Sequence, residues 1–276
     1  MYRLINYVFG LTLIYLFILE GRMEDHIQVL IALGLAIILA TLSFLANWIT
    51  LDATKAVIIV GTILLGFGGW ILAASVIFFF IISSLLSSRS TGARKSNGVL
   101  AHHMRRDGYQ VWANSFWAAL FCILWFGSGA IAALVAAFAV IATATADTWA
   151  TEVGTKNPGK TVMITNFTPV EPGVDGGISL KGTVAAFFGA CAISTFIFLT
   201  PFSSTLTIFF IVLGAGFVAT IADSILGALL KERRFSFPEP EDFSSETESF
   251  SNSVVNWIST GIGGIAAFTL TQVIIS

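Results

Sequence analysis

The sequence predicts an all-α, polytopic membrane helix bundle of about nine transmembrane helices with a cytoplasmic N-terminus. Three observations carry this prediction. Hydrophobic residues fill 56% of the 276 positions and charged residues only 11%, where a soluble domain carries about 25% charged residues; mean hydropathy is +0.88. Apolar runs of the length a bilayer demands, about 20 residues each, recur along the whole chain. The basic residues collect in alternate connections between those runs.

In order, the runs are 4–19, 27–49, 53–69, 70–88, 110–127, 129–149, 180–200, 205–230 and 254–275. The first has the length of a secretory apolar core, but Glu20-Gly21-Arg22 follows it where a small-residue cleavage site would stand, so it counts as a helix. The third and fourth divide at Gly66-Phe67-Gly68-Gly69-Trp70, because one helix over both would outrun a bilayer and glycines punctuate the chain there. Cys122 and Cys191 lie inside apolar runs and read as small buried hydrophobes.

Loop charge tests the count independently. With the N-terminus inside, Arg3, Lys55, Arg89, Arg94, Lys95, Arg105, Arg106, Lys156, Lys160, Lys181, Lys231, Arg233 and Arg234 all fall on the cytoplasmic side, and only Arg22 lies outside. An eight-span count destroys this segregation for everything after the missing helix. The chain is thus one membrane domain over 1–276, with its three long loops, 89–109, 150–179 and 231–253, on the cytoplasmic face.

Two aspartates interrupt the apolar runs: Asp147 in AVIATATADTWATEVG and Asp223 in GAGFVATIADSILGALL. A charge at the centre of a membrane helix costs roughly 2.5–3.5 kcal/mol on insertion scales unless it faces a partner or a polar cavity. Each follows an alanine and precedes a hydroxyl residue, and both spans run in the same direction. Glu152 follows Asp147 by about one and a half turns and can line the same cavity. Gln110 and Asn114 open the fifth span, and Asn252 and Asn256 the ninth, each pair on one helical face. Four helices therefore bring carboxylates and amides to one layer. For the amides, interhelical hydrogen bonding alone is the plain alternative.

The loop before the seventh span ends in Pro172-Gly173-Val174-Asp175-Gly176-Gly177-Ile178-Ser179, followed by Lys181-Gly182-Thr183. Glycines permit close backbone approach, Ser179 suits an N-cap, and a helix start offers unpaired N–H groups to an anion. The pattern shares the physics of a phosphate cradle without matching the Walker motif. Acidic ligands beside a phosphate are what Mg²⁺ prefers.

The basic loop RSTGARKSNGVLAHHMRRDGY reads as topological retention and lipid-headgroup contact for Arg105 and Arg106, while Arg94 and Lys95 could hold a phosphate. His102 and His103 are adjacent and lack Cys or His companions, so no zinc site is expected. The acidic, Ser-rich stretch 238–249 reads as a flexible insert.

At these residues the sequence resembles the membrane family that includes plant phytyl-phosphate kinase and human transmembrane protein 19. The matching segments are Gln110-Val111-Trp112-Ala113-Asn114, Ala146-Asp147-Thr148-Trp149-Ala150-Thr151-Glu152-Val153-Gly154, Gly176-Gly177-Ile178-Ser179 through Gly182-Thr183, and Ala222-Asp223-Ser224 with Gly227. More distantly it is similar to CTP-dependent phytol and dolichol kinases. In those, a lysine precedes the serine of the glycine turn, whereas Lys181 here follows Ser179.

The resemblance implies phosphoryl transfer from a nucleoside triphosphate, CTP by that analogy, to an isoprenoid monophosphate, with Mg²⁺ as cofactor. It implies Asp147, Glu152 and Asp223 as metal ligands, and Gly176, Gly177, Ser179 and Thr183 as the nucleotide-phosphate cradle. Lys95, Lys156 or Lys181 would counter charge, and Asn114 and Asn256 would orient a phosphate or a metal-bound water. Partners would be the lipid phosphate, the nucleotide and membrane lipids, with no nucleic acid. Two other classes compete: a secondary transporter using the acidic residues, and a non-catalytic lipid-binding protein. Carriers place such residues near the midplane, often on broken helices, which parallel helices with charges near one face do not match.

Overall fold

A computed structural model describes residues 2–19, 23–94, 105–156, 159–234 and 245–275. Nine α-helices occupy these residues: α1 (Tyr2–Leu19), α2 (Met23–Leu45), α3 (Leu51–Gly66), α4 (Gly69–Arg94), α5 (Gly108–Ser128), α6 (Ile131–Lys156), α7 (Leu180–Ser194), α8 (Thr205–Arg234) and α9 (Ser245–Ile275). Seven of them are long and apolar enough to cross a membrane; α1 and α3 are shorter. The protein is a multi-pass membrane helix bundle, as the hydropathy predicts.

Four helix boundaries differ most from the sequence reading. Helix α6 runs past 149 to Lys156, and α4 and α8 continue to Arg94 and Arg234. Helix α9 opens at Ser245, inside the stretch expected to be a flexible insert. Residues 238–244 of that stretch, with Lys95, His102 and His103, lie outside the described residues. The loop after α6 also contains strands the sequence reading did not foresee. Strand β1 (Thr161–Met163) pairs antiparallel with β2 (Gly177–Ser179), Thr161 opposite Ser179 and Met163 opposite Gly177.

Helix α6 is the hub. It packs against α4, α5, α7, α8 and α9, and every residue from Ala132 to Ala146 is buried. Without a hydrophobic drive between helices in lipid, close backbone approach supplies the packing, and the sequence provides for it. A Cβ added at Gly216 of α8 would lie 2.8 Å from the Ala142 Cβ, and one at Gly189 of α7 would lie 3.0 Å from the Ala146 Cα. The hydroxyls within α6 return to their own helix: Thr143, Thr145 and Thr148 donate to the carbonyls of Ala139, Ile141 and Ala144 at 2.9, 2.7 and 2.8 Å. Those three hydroxyls are paired as a membrane interior requires, while the buried indole nitrogen of Trp149, nearer the end of α6, has no partner among the described residues. By contrast α1 and α2 turn Leu11, Ile18, Leu30, Ile38 and Leu42 outward, as a lipid-facing periphery does.

Two short clamps shape one end of the bundle. The chain entering α3 runs beside the chain entering α5: Arg106 N donates to Trp48 O and Thr50 N donates to Arg106 O, both at 3.0 Å. Asp107 then caps α5, accepting from Gln110 N at 2.9 Å, while Gly108 N donates to Asp52 Oδ2 at 3.0 Å. On the other side, β2 feeds directly into α7. Ser179 is the N-cap, accepting from Gly182 N at 3.2 Å, as the sequence predicts.

Candidate functional site

At the clamped end a cavity of about 710 Å³ opens among the ends of α4, α6 and α8, the starts of α5, α7 and α9, and the hairpin loop. Gln110, Asn114, Asp147, Glu152, Gly176, Gly177, Ser179, Thr183, Asp223, Asn252 and Asn256 all line it. The polar layer expected from the sequence is therefore one space.

Asp147 and Asp223 meet across the α6–α8 contact, close enough for their carboxyls to hydrogen-bond. Helix α9 supports the second of them. Ser259 Oγ donates to Asp223 Oδ1 at 2.7 Å. The Asn256 amide, turned so that its nitrogen donates, reaches Asp223 Oδ1 and Asn252 O at 3.3 Å each. Asn256 thus holds the carboxylate in place. Two carboxylates at this distance repel unless a cation or a proton lies between them.

Glu152 is not brought to this pair. Five residues of helix rotate it about 140° from Asp147, toward α4, where its Oε1 accepts from Ser87 Oγ at 2.7 Å and its Oε2 pairs with Lys156 at 3.6 Å. Among the described residues no group of three or more Asp, Glu, His or Cys side chains is placed to hold one ion. The three-carboxylate set expected from the sequence is, in the structure, a pair plus a separate Glu152.

The other expected residues divide the same way. Gly176 holds a positive φ of 78°, and a Cβ there would meet the Ala228 Cβ, Cα and N at 2.4, 2.6 and 2.7 Å. Packing of the loop on α8 therefore accounts for this glycine. The Gly177 N–H is spent on Val174 O at 2.8 Å. Ser179, Gly182, Thr183 and Ala186 share one face of α7 and line the cavity, the i, i+3, i+4, i+7 pattern of a helix. Lys181 stands off that face; it is exposed and outside the cavity wall. Lys156 does not line the cavity either, being engaged by Glu152 and the Leu86 carbonyl. Asn114 donates to Gln110 O at 3.0 Å.

Charged cavity residues were missed, among them Arg105, which lines the wall with its guanidinium on the Asn47 side chain. Asp175, in the glycine loop, lines the wall and is near enough to Asp223 to act on its charge. Arg106, read from sequence as a membrane-surface residue, also lines the wall. Its guanidinium carbon lies 5.4 Å from the ring centroids of both Phe79 and Phe80. Burial lowers its pKa to about 10, against the opposing influence of Glu152, so it remains a cation at neutral pH. The signal for Asp175 was its place between the loop glycines. Arg106 had none, because its surroundings come from α4 and from the 48–50 strand-like segment.

Residues 34–264 match a family described as integral membrane protein DUF92. The chain is 30% identical over 243 residues to an uncharacterized membrane protein of Methanocaldococcus jannaschii, covering 88% of this chain and 94% of that one. It is also 30% identical over 173 residues to an uncharacterized membrane protein of Synechocystis sp., 59% of each chain. No solved structure matches. The chain belongs to the DUF92 integral membrane family.

Proposed function

We propose that this DUF92 protein is a membrane phosphotransferase that moves a phosphoryl group from a nucleoside triphosphate to an isoprenoid monophosphate, giving the diphosphate. One observation carries the reading: a pair of abutting aspartates, a glycine-turn helix start and a half-buried arginine line a single cavity at the end of a membrane bundle. The resemblance to phytyl-phosphate kinase supplies the acceptor class, and CTP is the donor to test first. The basic loop residues favour a cytoplasmic position for this end.

The donor set suits Mg²⁺, which takes oxygen ligands, typically one or two carboxylates with substrate phosphates and water. Asp147 and Asp223 would hold it, and a bound divalent ion would neutralise phosphate charge. Asn256 and Ser259 fix Asp223 in the orientation such a role needs. The start of α7 lines the cavity through Ser179, Gly182 and Thr183, and a helix N-terminus favours an anion, although the Gly182 N–H is already given to Ser179 Oγ. A monophosphate acceptor is itself anionic near neutral pH, so transfer rests on positioning and charge neutralisation more than on a general base. No histidine lines the cavity among the described residues, which is compatible with that chemistry.

Proteoliposomes of the purified protein, given Mg²⁺, labelled CTP or ATP and phytyl monophosphate, are expected to form labelled phytyl diphosphate, and EDTA to abolish the product. Solute flux without nucleotide consumption would instead establish a carrier and overturn the proposal.

A further inference from the structure

Arg105 and Arg106 both line the positive side of the cavity; Arg105 is engaged by the Asn47 side chain, whereas the Arg106 side chain has no hydrogen bond or ion pair among the described residues. Arg106 is held by its main chain, through the paired bonds to Trp48 and Thr50 and the capped turn at Asp107. Its position does not depend on what its side chain binds. The guanidinium rests near two rings of α4, 5.4 Å from each centroid. Such stacking satisfies the flat faces of the group and leaves its N–H edge free.

Among the described residues nothing accepts a hydrogen bond from that edge and no carboxylate forms an ion pair with it. Glu152 is the acid that acts on it, and Glu152 is already engaged by Ser87 and Lys156. A half-buried cation with unspent donors is costly. This one lines the cavity beside Gln110 and Asn114, in the same space as the aspartate pair.

We propose that Arg106 is the phosphate anchor of this cavity, binding an oxyanion edge-on through two parallel N–H bonds. The assignment rests on the phosphotransferase reading only for the source of the phosphate, which is either the acceptor lipid or the nucleotide. Bidentate geometry is the particular capacity of a guanidinium; a lysine ammonium supplies charge without the fork.

The test measures thermal stabilisation of the detergent-purified full chain by phytyl monophosphate, CTP and phytol, for the wild type, Arg106→Gln and Arg106→Lys. Arg106→Gln is expected to weaken one phosphate ligand about 10- to 100-fold, the size of one charge-assisted pair of bonds, with Arg106→Lys intermediate. Weakened phytyl monophosphate with unchanged CTP assigns the anchor to the acceptor; the converse assigns it to the nucleotide. Phytol, which has the tail and no phosphate, is expected to bind all three proteins alike. Equal loss for phytol would mean a structural role and overturn the proposal, as would unchanged affinity for both phosphate ligands. If Arg106→Gln does not fold, Arg106→Lys reads the same contrast. Phosphate binding that depends on Arg106 without any turnover would sink the kinase reading and leave the anchor standing.

Discussion

On the α8–α9 side of the cavity, two carboxylates press together while a hydroxyl and an amide from α9 serve one of them. On the α4–α5 side, a guanidinium lies against two phenyl rings with no acceptor among the described residues. Near enough to act on its charge, Glu152 pairs with Lys156 at 3.6 Å. The contrast separates charges that are finished from charges that are waiting. The Glu152–Lys156 pair is complete and gains nothing from a ligand. Among the described residues neither the aspartate pair nor Arg106 forms an ion pair with a side chain, and a metal-bound phosphate would match both charges at once.

The sharpest way to break this comparison is to neutralise the acidic side. Asp147→Asn and Asp223→Asn are each expected to lower turnover at least about 1,000-fold while the protein elutes from size exclusion as the wild type does. Near-normal activity in either would remove the pair from the chemistry. Next in size is Gly176→Ala. It forces a side chain into left-handed backbone and onto Ala228, and is expected to cost roughly 1–3 kcal/mol, read as a lower melting temperature in detergent. Ser259→Ala withdraws the 2.7 Å donor to Asp223 and is expected to reduce kcat about tenfold, with a higher Mg²⁺ concentration needed for half-maximal rate. A wild-type Mg²⁺ response there would mean that Asp223 needs no such support. The smallest effect sharpens the boundary of the site: Lys181→Ala, on the outer face of α7, is expected to leave kcat/KM within about twofold.

What the sequence disclosed follows from what membranes penalise. Charges inside apolar runs are costly enough that Asp147 and Asp223 declared themselves, and hydropathy delivered all nine helices. The Ser179 cap was readable from residue type and position. Glu152 misled because nearness along a helix is not nearness in space; its five-residue offset turns it to α4. Lys181 misled in the same way, one position off the face that Ser179, Gly182 and Thr183 share. Arg106 was invisible for a different reason. Its setting is assembled from Trp48, Thr50, Phe79 and Phe80, residues that no local pattern connects to it. The β1–β2 hairpin was hidden because strands of three residues carry too little alternation to be seen.

Helix α6 has a mechanical consequence. Of its apolar stretch, 83% is inside the protein, compared with 28% for α2. The helix that carries Asp147 is therefore sheathed by its neighbours rather than by lipid. Stretching or thinning the bilayer acts first on α1 and α2, whose apolar side chains face outward, and reaches the cavity end only through several packed interfaces. Reconstituted in vesicles of short-chain and then long-chain lipid, the protein is expected to keep the kcat of the proposed transfer while its outer helices change tilt, so that the cavity is insulated from the thickness of the membrane around it.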